Sequence, residues 1–282
     1  MKRFLASAFL LCTLILSACS ENETSITEAI TTPELPEITC PVILEAMPLR
    51  SITSAFNDAL YALERGDRVL LILLDGWGWE KFAYHASAQP FLSSLNPESA
   101  IAVYPPMTPV GLASVLTGVQ PEIHGIQSRN DRQLSDDVTD IFAEAARLGK
   151  TAIFVQGATN VIETSLFPLL SPDADGLYGT DNEVFENAKR NLDADLLFVH
   201  FKGIDDTGHT YGPFSEEVGA RLALIDEYIH YLAGNWGHGT VIITADHGMH
   251  QTHDDPHRLG NHYRFCHEDI IVPYIIVRKG GY

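Results

Sequence analysis

The stretch that decides the fold reads Val241-Ile242-Ile243-Thr244-Ala245-Asp246-His247-Gly248. It begins as a run of mostly β-branched apolar residues, which is typical of a strand buried on both faces of a sheet. It ends in a carboxylate and an imidazole, and Gly248 then allows the chain to turn sharply. Ligands bind at the carboxyl ends of strands in open α/β sheets. This ending therefore indicates a metal site or a catalytic pair, unless it is only a polar turn.

The same pattern recurs earlier in the chain, where an apolar run from Arg68 to Leu74 ends in Asp75-Gly76. Elsewhere, segments with strand and helix patterns alternate. Strands are expected at 99–104, 151–155, 195–201, 240–244 and 269–277, and helices at 53–65, 108–116, 138–148, 184–191 and 216–232. Alternating strands and helices predict an α/β fold with a mainly parallel sheet between helices. We expect a single catalytic domain spanning 39–282.

The charge of the chain restricts its partners. Among 282 residues, 37 are acidic and 18 are basic, which gives a formal net charge of −19. This balance argues against a nucleic-acid-binding surface. An anionic substrate would have to be held by something other than net charge, such as bound cations.

The amino-terminal segment has the pattern of a targeting signal. A positive start, Met1-Lys2-Arg3, precedes an apolar run from Phe4 to Ile15 that is too short to span a bilayer. The following Leu16-Ser17-Ala18-Cys19 resembles a bacterial lipobox, in which the cysteine becomes the lipidated amino terminus; the alternative is an ordinary signal peptide. We predict a signal peptide at 1–19, a flexible tether at 20–38 and an extracytoplasmic protein anchored to a bacterial membrane through Cys19.

Two cysteines, Cys40 and Cys266, lie outside the signal and the lipobox. An oxidising compartment allows a disulfide between them. The sequence does not supply the Cα separation that decides whether it forms.

Metal-type ligands follow predicted strand ends at four separate places. They are Asp75, the pair Asp205 and His209, the pair Asp246 and His247, and His262. Carboxylates and imidazoles are the ligands of zinc and of other borderline divalent cations. Three of each are too many for one tetrahedral ion. They fit two divalent ions about 4 Å apart, as in phosphoryl-transfer sites with two metals.

Thr108 stands at the start of a predicted helix, followed by Pro109, a residue favoured in the first turn. The first N–H groups of a helix attract anions such as phosphate. A threonine hydroxyl is a poor nucleophile, but a bound cation makes its alkoxide accessible. Alternatively, Thr108 only caps the helix.

Taken in order, these motifs resemble the alkaline phosphatase superfamily, in its type I phosphodiesterase/nucleotide pyrophosphatase branch, over residues 68–277. The motifs are Leu74-Asp75-Gly76, Pro105-Pro106-Met107-Thr108-Pro109, Ser114-Val115-Leu116-Thr117-Gly118, Pro121-Glu122-Ile123-His124-Gly125-Ile126, Asp205-Asp206-Thr207-Gly208-His209-Thr210-Tyr211-Gly212-Pro213, Asp246-His247-Gly248-Met249 and Gly260-Asn261-His262. The resemblance places 205–213 in a ligand loop.

The resemblance implies an alkaline-phosphatase-like fold and a metal-dependent hydrolase of phosphodiesters or phosphomonoesters. One zinc or similar ion would be held by Asp205, His209 and His262. A second would be held by Asp75, Asp246 and His247, with the Thr108 hydroxyl completing it. Thr108 would attack phosphorus and form a phospho-threonine intermediate on a small-molecule phosphate ester.

The sequence departs from the family where substrate is bound. Nucleotide pyrophosphatases carry an asparagine beyond the His-Gly-Ile turn that binds a phosphoryl oxygen. That spacing here reaches Arg129, next to Asn130. Either could bind substrate, and a guanidinium favours a more highly charged phosphoryl group. The family's insert that grips nucleotide bases is not evident.

Two other functions are compatible with these residues. The segments 200–205 and 260–262 are also similar to those of glycolipid ethanolamine-phosphate transferases, which implies a phosphotransferase that uses an alcohol as acceptor. A degenerate binding module is disfavoured because no ligand is missing.

Two further features remain open. The loop with His250, His253, Asp254, Asp255 and His257 could hold a third ion, or be a solvated loop beside the site. Lys202 could approach a phosphoryl oxygen.

Overall fold

The computed structural model describes residues 50–280, apart from residues 175, 177 and 178. The predicted signal peptide and lipobox at 1–19, the tether at 20–38 and Cys40 lie outside these residues. Cys266 forms no disulfide with any described residue. The described residues all fall within the predicted catalytic domain, 39–282.

A central sheet of seven strands organises the described residues, in the order β2-β9-β6-β1-β5-β3-β4. Every pairing is parallel except those of β9, which runs antiparallel to both of its neighbours. The predicted α/β class and mainly parallel sheet are therefore confirmed. The strands are β1 (Val69–Leu74), β2 (Glu98–Ile101), β3 (Ala152–Gln156), β4 (Leu169–Leu170), β5 (Leu196–Phe201), β6 (Gly239–Thr244) and β9 (Ile271–Lys279), and a separate hairpin consists of β7 (His250–Asp255) and β8 (Arg258–Asn261).

Apart from the connection between the parallel strands β3 and β4, the strands of the central sheet are joined by segments that contain helices. The helices are α1 (Ser54–Glu64), α2 (Trp79–Tyr84), α3 (Pro90–Ser94), α4 (Thr108–Thr117), α5 (Pro121–His124), α6 (Ile141–Arg147), α7 (Asp181–Lys189), α8 (Gly203–Tyr211), α9 (Glu216–Asn235) and α10 (His267–Ile270), with a short 3-10 turn at Ala86–Ala88. None of the helices in the described part of the chain has the length and apolar character needed to cross a bilayer.

The three central strands, β6, β1 and β5, are buried along their whole length. This burial explains why their sequences are nearly continuous apolar runs rather than alternating patterns. Leu74 pairs with Phe201 on one side of β1, and Leu73 pairs with Thr244 on the other. The carboxyl ends of all three strands therefore meet at one edge of the sheet.

Two segments differ from the sequence expectation. The ligand loop expected at 205–213 is largely helical, as α8. A Cβ on Gly260 in β8 would lie 2.3 Å from the Gly208 carbonyl oxygen, so close packing on the hairpin supports a glycine-containing helix of low intrinsic propensity. The polar segment 250–261, expected as a loop, forms that hairpin.

Candidate metal and phosphoryl site

The central carboxylates lie directly beyond the three buried strands. Asp75 follows β1, and its backbone N–H donates to the Phe201 carbonyl at 2.9 Å. Asp246 follows β6 by one residue, and its Oδ1 accepts from the Gly76 N–H at 3.2 Å. Gly76 has a φ of +71°, and a Cβ there would lie 2.9 Å from Oδ1 of Asp205. A side chain at this turn would therefore be strained and would push the carboxylates apart.

Thr108 begins helix α4 and is not its cap. Met107 is the N-cap residue, and no side chain caps this helix end. The Thr108 hydroxyl instead faces the carboxylates, with Oγ1 at 3.3 Å from Oδ1 of Asp75 and 3.4 Å from Nε2 of His247. The structure therefore does not support the capping alternative, because the hydroxyl donates to the Asp75 carboxylate instead.

A glycine brings this helix to the strand end. A Cβ added to Gly111 would lie 2.5 Å from the Asp246 carbonyl oxygen and 2.7 Å from the Asp246 Cβ. Any larger residue would force helix and strand apart. The position of Thr108 therefore depends on Gly111.

Three histidines direct the same ring nitrogen at the site. Nδ1 of His247 lies 2.8 Å from the Gly248 carbonyl oxygen, Nδ1 of His262 lies 2.7 Å from that of Pro106, and Nδ1 of His209 lies 2.8 Å from that of Gly260. Because a carbonyl only accepts hydrogen bonds, each Nδ1 carries the proton. In the neutral ring each Nε2 then presents a lone pair, as a metal ligand requires; that of His209 lies 3.1 Å from the Arg258 guanidinium.

The six sequence-predicted ligands form two overlapping groups. In the first, Nε2 of His209 lies 3.2 Å from Oδ2 of Asp205, and Nε2 of His262 lies 3.8 Å from Oδ1 of Asp205. In the second, Nε2 of His247 lies 3.4 Å from both Asp75 Oδ1 and Asp246 Oδ2. Asp205 also falls within 4.8 Å of the Asp75 and His247 ligand atoms. The groups therefore adjoin at Asp205.

Electrostatics in this cluster favour a bound cation. Burial and the nearby carboxylates of Asp75 and Asp205 raise the pKa of Asp246 well above its ordinary value. Burial also opposes ionisation of Asp205 and Asp75. A hydrogen bond from His209 and the charged form of the surrounding imidazoles nevertheless lower the pKa of Asp205, as those of His200 and His247 do for Asp75. A bound cation would supply the same positive charge while the rings are neutral. Three buried carboxylates this close repel one another unless positive charge is placed among them.

Unpartnered atoms show where a cation fits. Oδ1 of Asp205, Oδ2 of Asp246 and Nε2 of His262 are buried and have no hydrogen-bond partner. Each buried unsatisfied polar group costs about 1–3 kcal/mol. Burial lowers the pKa of His262 to about 3, so its ring stays neutral and able to coordinate. The donor set of carboxylate oxygens and imidazole nitrogens fits divalent metals such as zinc.

Two buried groups that support the site were not recognised from the sequence. His200, at the end of β5, places Nε2 at 3.2 Å from Oδ2 of Asp75. Lys81 is 1% exposed and donates from Nζ to the Gly76 carbonyl at 2.8 Å. Burial lowers the Lys81 pKa to about 8. The sequence carries no local signal for Lys81, because its role depends on packing beneath a distant loop.

The third-ion interpretation of the 250–257 segment does not match the geometry. His253, Asp254, Asp255 and His257 are exposed, and among the described residues His250 instead groups with Cys266 and Asp269. The Asp269 carboxylate is already engaged by His250 Nδ1 and by the N–H groups of Tyr263 and Arg264. Asp269 therefore holds the backbone after His262 in place through these hydrogen bonds.

A cavity of about 140 Å³ opens beside the Thr108 hydroxyl. Arg129 lines it, as do Arg132 and Lys202, whereas the neighbouring Asn130 does not. The Arg129 guanidinium bonds to the Tyr263 hydroxyl and lies over the Tyr263 ring, 5.6 Å from its centroid. Arg132 was missed by the sequence reasoning, which examined only the position that matches the family's asparagine.

Comparison with known proteins agrees with this geometry. A profile of the type I phosphodiesterase / nucleotide pyrophosphatase family matches residues 69–272. The human GPI ethanolamine phosphate transferase 2, catalytic subunit, is 28% identical over 193 residues, which are 61% of this chain but only 18% of that protein. The chain thus spans less than a fifth of that relative.

Solved structures share the fold at low identity. Phosphonoacetate hydrolase from Sinorhizobium meliloti superposes with a TM-score of 0.56 at 20% identity, over 67% of this chain and 58% of that one. Murine ectonucleotide pyrophosphatase / phosphodiesterase 5, in an inactive threonine-to-alanine form with AMP, gives a TM-score of 0.53 at 21% identity, over 67% and 59%.

Proposed function

Because this chain belongs to the type I phosphodiesterase / nucleotide pyrophosphatase family, we propose that it is a metal-dependent hydrolase of phosphate esters with Thr108 as nucleophile. The observation that carries the proposal is the position of the Thr108 hydroxyl. It lies 3.3 Å from the Asp75 carboxylate and 3.4 Å from the His247 ring nitrogen, inside a cluster of six ligand side chains. A hydroxyl that neither caps its helix nor bonds to main chain is available for attack on phosphorus.

The ligand groups are suited to two divalent ions, most reasonably zinc. Asp205, His209 and His262 would hold one, and Asp75, Asp246 and His247 would hold the other beside Thr108. When bound, the ions supply positive charge that lowers the pKa of the nucleophile and offsets charge on the phosphoryl oxygens. The chain contributes the hydrogen bonds from the three Nδ1 atoms, which leave each Nε2 as the ring nitrogen that would face an ion.

Thr108 would act in two steps. Its Oγ1 bonds to phosphorus, the bond from phosphorus to the leaving-group oxygen breaks, the hydroxyl proton passes to solvent, and the departing oxygen takes a proton from water. Water then attacks the phospho-threonine and releases phosphate, or a phosphomonoester from a diester, restoring the hydroxyl. Helix α4 holds Oγ1 in place throughout, because Gly111 fixes the helix against the Asp246 backbone.

A second candidate is a phosphotransferase in which an alcohol replaces water in the second step. The similarity to a GPI ethanolamine phosphate transferase favours it. The residues that act on phosphorus are the same in both candidates. They differ only in what enters the site to accept the phosphoryl group.

The experiment incubates zinc-loaded protein with aryl phosphate mono- and diesters, with and without an alcohol acceptor, and identifies products by ³¹P NMR. We expect release of inorganic phosphate or a monoester in water. Accumulation of phosphorylated alcohol in place of hydrolysis would establish the transferase instead.

Substitutions of threonines in helix α4 test whether Thr108 is the nucleophile. Thr108→Ala should abolish turnover with metal content unchanged, and Thr108→Ser should restore part of it. The matched control is Thr117→Ala, which removes a hydroxyl from the same helix that donates to the Ala113 carbonyl. Turnover by Thr108→Ala would remove this residue from the mechanism.

We also propose, from the amino-terminal sequence alone, that the enzyme works outside the cytoplasm on a lipid anchor at Cys19. Labelling of cells with radioactive palmitate should mark the wild type and not a Cys19→Ser variant. Equal labelling of both would refute the anchor.

A further inference from the structure

The cavity beside Thr108, here called the cationic pocket, has a charge opposite to that of the chain. It is lined by Thr108, Pro109, Arg129, Arg132, Thr159, Asn160, Val161 and Lys202. Three of these eight residues are cations and none is acidic, in a chain with a formal charge of −19. Such a local concentration of positive charge beside a nucleophile is the environment expected of an anion site.

The two arginines are held in place by hydrogen bonds to other groups of the protein. Nη1 of Arg132 donates to the Asn160 carbonyl at 2.7 Å and to the Val161 carbonyl at 3.0 Å. Arg129 is held by the hydroxyl and ring of Tyr263. A guanidinium has five N–H donors, so both retain donors that these contacts do not use.

Lys202 is anchored through its backbone rather than its ammonium. Its N–H donates to Oδ1 of the buried Asp181 at 3.1 Å, and the N–H of Gly203 donates to the same oxygen at 3.2 Å. Within residues 50–280 as described, the Lys202 ammonium forms no hydrogen bond or ion pair. An oriented cation without a protein partner is ready to bind an anion from outside.

The summed charge of the groups around Thr108 indicates which class of phosphate ester the site favours. Asp75, Asp205 and Asp246 bring three negative charges, and Asp206, whose carboxylate acts on the Lys202 ammonium, brings a fourth. The two divalent ions of the proposed function balance these four, and the cationic pocket then leaves a surplus of three positive charges. A phosphodiester has a net charge of −1, and a diester that carries an ethanolamine ammonium has a net charge of zero. A phosphomonoester dianion has a net charge of −2 and therefore offsets more of this positive charge than either diester.

We propose that the cationic pocket selects a phosphomonoester dianion as the substrate of this enzyme and disfavours diesters, most of all those bearing an ammonium group. The inference rests on the proposed phosphate-ester chemistry at Thr108. Lys202 and Arg132 contact the phosphoryl oxygen that is charged in a monoester and esterified in a diester. They are therefore determinants of specificity within a family named for diesters.

The test compares p-nitrophenyl phosphate with bis(p-nitrophenyl) phosphate at pH 8, where the monoester is doubly charged because its second pKa is about 6. Lys202→Met and Arg132→Met in the zinc-loaded full chain should each lower kcat/KM for the monoester by about 10- to 100-fold, the value of one hydrogen bond to a charged group. Activity on the diester should fall by less than about threefold. The matched control is Arg190→Met, which removes an exposed arginine that does not line the pocket.

Binding provides a readout that does not need turnover. Calorimetric titration should show inorganic phosphate binding about 10-fold or more weaker in Lys202→Met, with dimethyl phosphate unchanged. Wild type that prefers the diester, or variants that lose both substrates equally, would overturn the selection of dianions while leaving the hydrolase intact. Wild type that turns over neither ester would refute the proposed function, and the phosphate titrations would then decide on the pocket separately.

Discussion

Replacing Gly111 with alanine should disable the nucleophile without dismantling the protein. The new Cβ would lie 2.5 Å from the Asp246 carbonyl oxygen, about 1 Å closer than an unstrained contact. Strand β6 is fixed between β1 and β9, so helix α4 must move. Thr108 moves with it, away from Asp75 and His247. A displacement of about 1 Å at a reacting group costs about 100-fold in rate.

The effect on stability is small because two terms oppose each other. Overpacking a core costs about 1–3 kcal/mol, and alanine in a helix interior regains about 1 kcal/mol over glycine. The net loss of about 0–2 kcal/mol lowers Tm by at most about 8 °C in a chain of this size. We therefore expect kcat for an aryl phosphate to fall about 100-fold while the melting transition stays cooperative.

Gly234 provides the matched control. It is exposed in the last turn of α9, and a Cβ there would meet nothing within 4 Å. Gly234→Ala should raise the free energy of unfolding by at most about 1 kcal/mol and leave kcat unchanged. Wild-type kcat in Gly111→Ala would refute the argument that this glycine sets the position of Thr108.

Three further predictions concern the pH dependence of stability, metal binding and the carboxylate of Asp269. Burial lowers the pKa of His124 to about 4, so below pH 6.5 the unfolded chain binds a proton that the folded chain does not. The free energy of unfolding, measured by urea titration, should therefore fall by about 2–3 kcal/mol between pH 7 and 4.5. The fall should be smaller in His124→Gln. Chelation should lower Tm by about 10–20 °C, because each of the two proposed ions at 100 times its Kd contributes about 2.7 kcal/mol. Asp246→Asn should bind less zinc by elemental analysis. Asp269→Asn should lower kcat about 10-fold, because it weakens the hydrogen bonds that hold the backbone at 263–264. The control Glu268→Gln should leave kcat unchanged.

These predictions would be contradicted by specific results. For His124, the contradiction would be an identical pH dependence in wild type and variant. For the metal, it would be an unchanged Tm after chelation, or full zinc occupancy in Asp246→Asn. For Asp269, it would be wild-type kcat in Asp269→Asn.

The centre of the fold could be predicted from the sequence because its strands are buried on both faces. The runs that became β1, β5 and β6 are nearly unbroken in apolar residues, and β1 and β6 are followed at once by carboxylates. The structure brings the six predicted ligands and Thr108 together because parallel strands share one carboxyl edge. The sequence pattern identified these residues, and the order and direction of the strands explain why they lie close together.

The periphery could not be predicted, because it depends on contacts between distant segments. Helix α8 contains Gly203 and Gly208, and it is stabilised by packing rather than by propensity. The antiparallel direction of β9 leaves no local signature in its sequence. Arg132 likewise gains its role from Asn160 and Val161, which are distant in the sequence.

The hydrogen bonds from the three imidazoles to main-chain carbonyls have a consequence for how the protein would acquire the proposed ions. The orientation of His209, His247 and His262 is set by the polypeptide itself, so an arriving ion would meet nitrogens that have little rotational freedom left to lose. Binding would then require dehydration of the ion and little rearrangement of the protein. Exchange of one divalent ion for another would accordingly alter the rate of reaction and leave the three imidazoles in place.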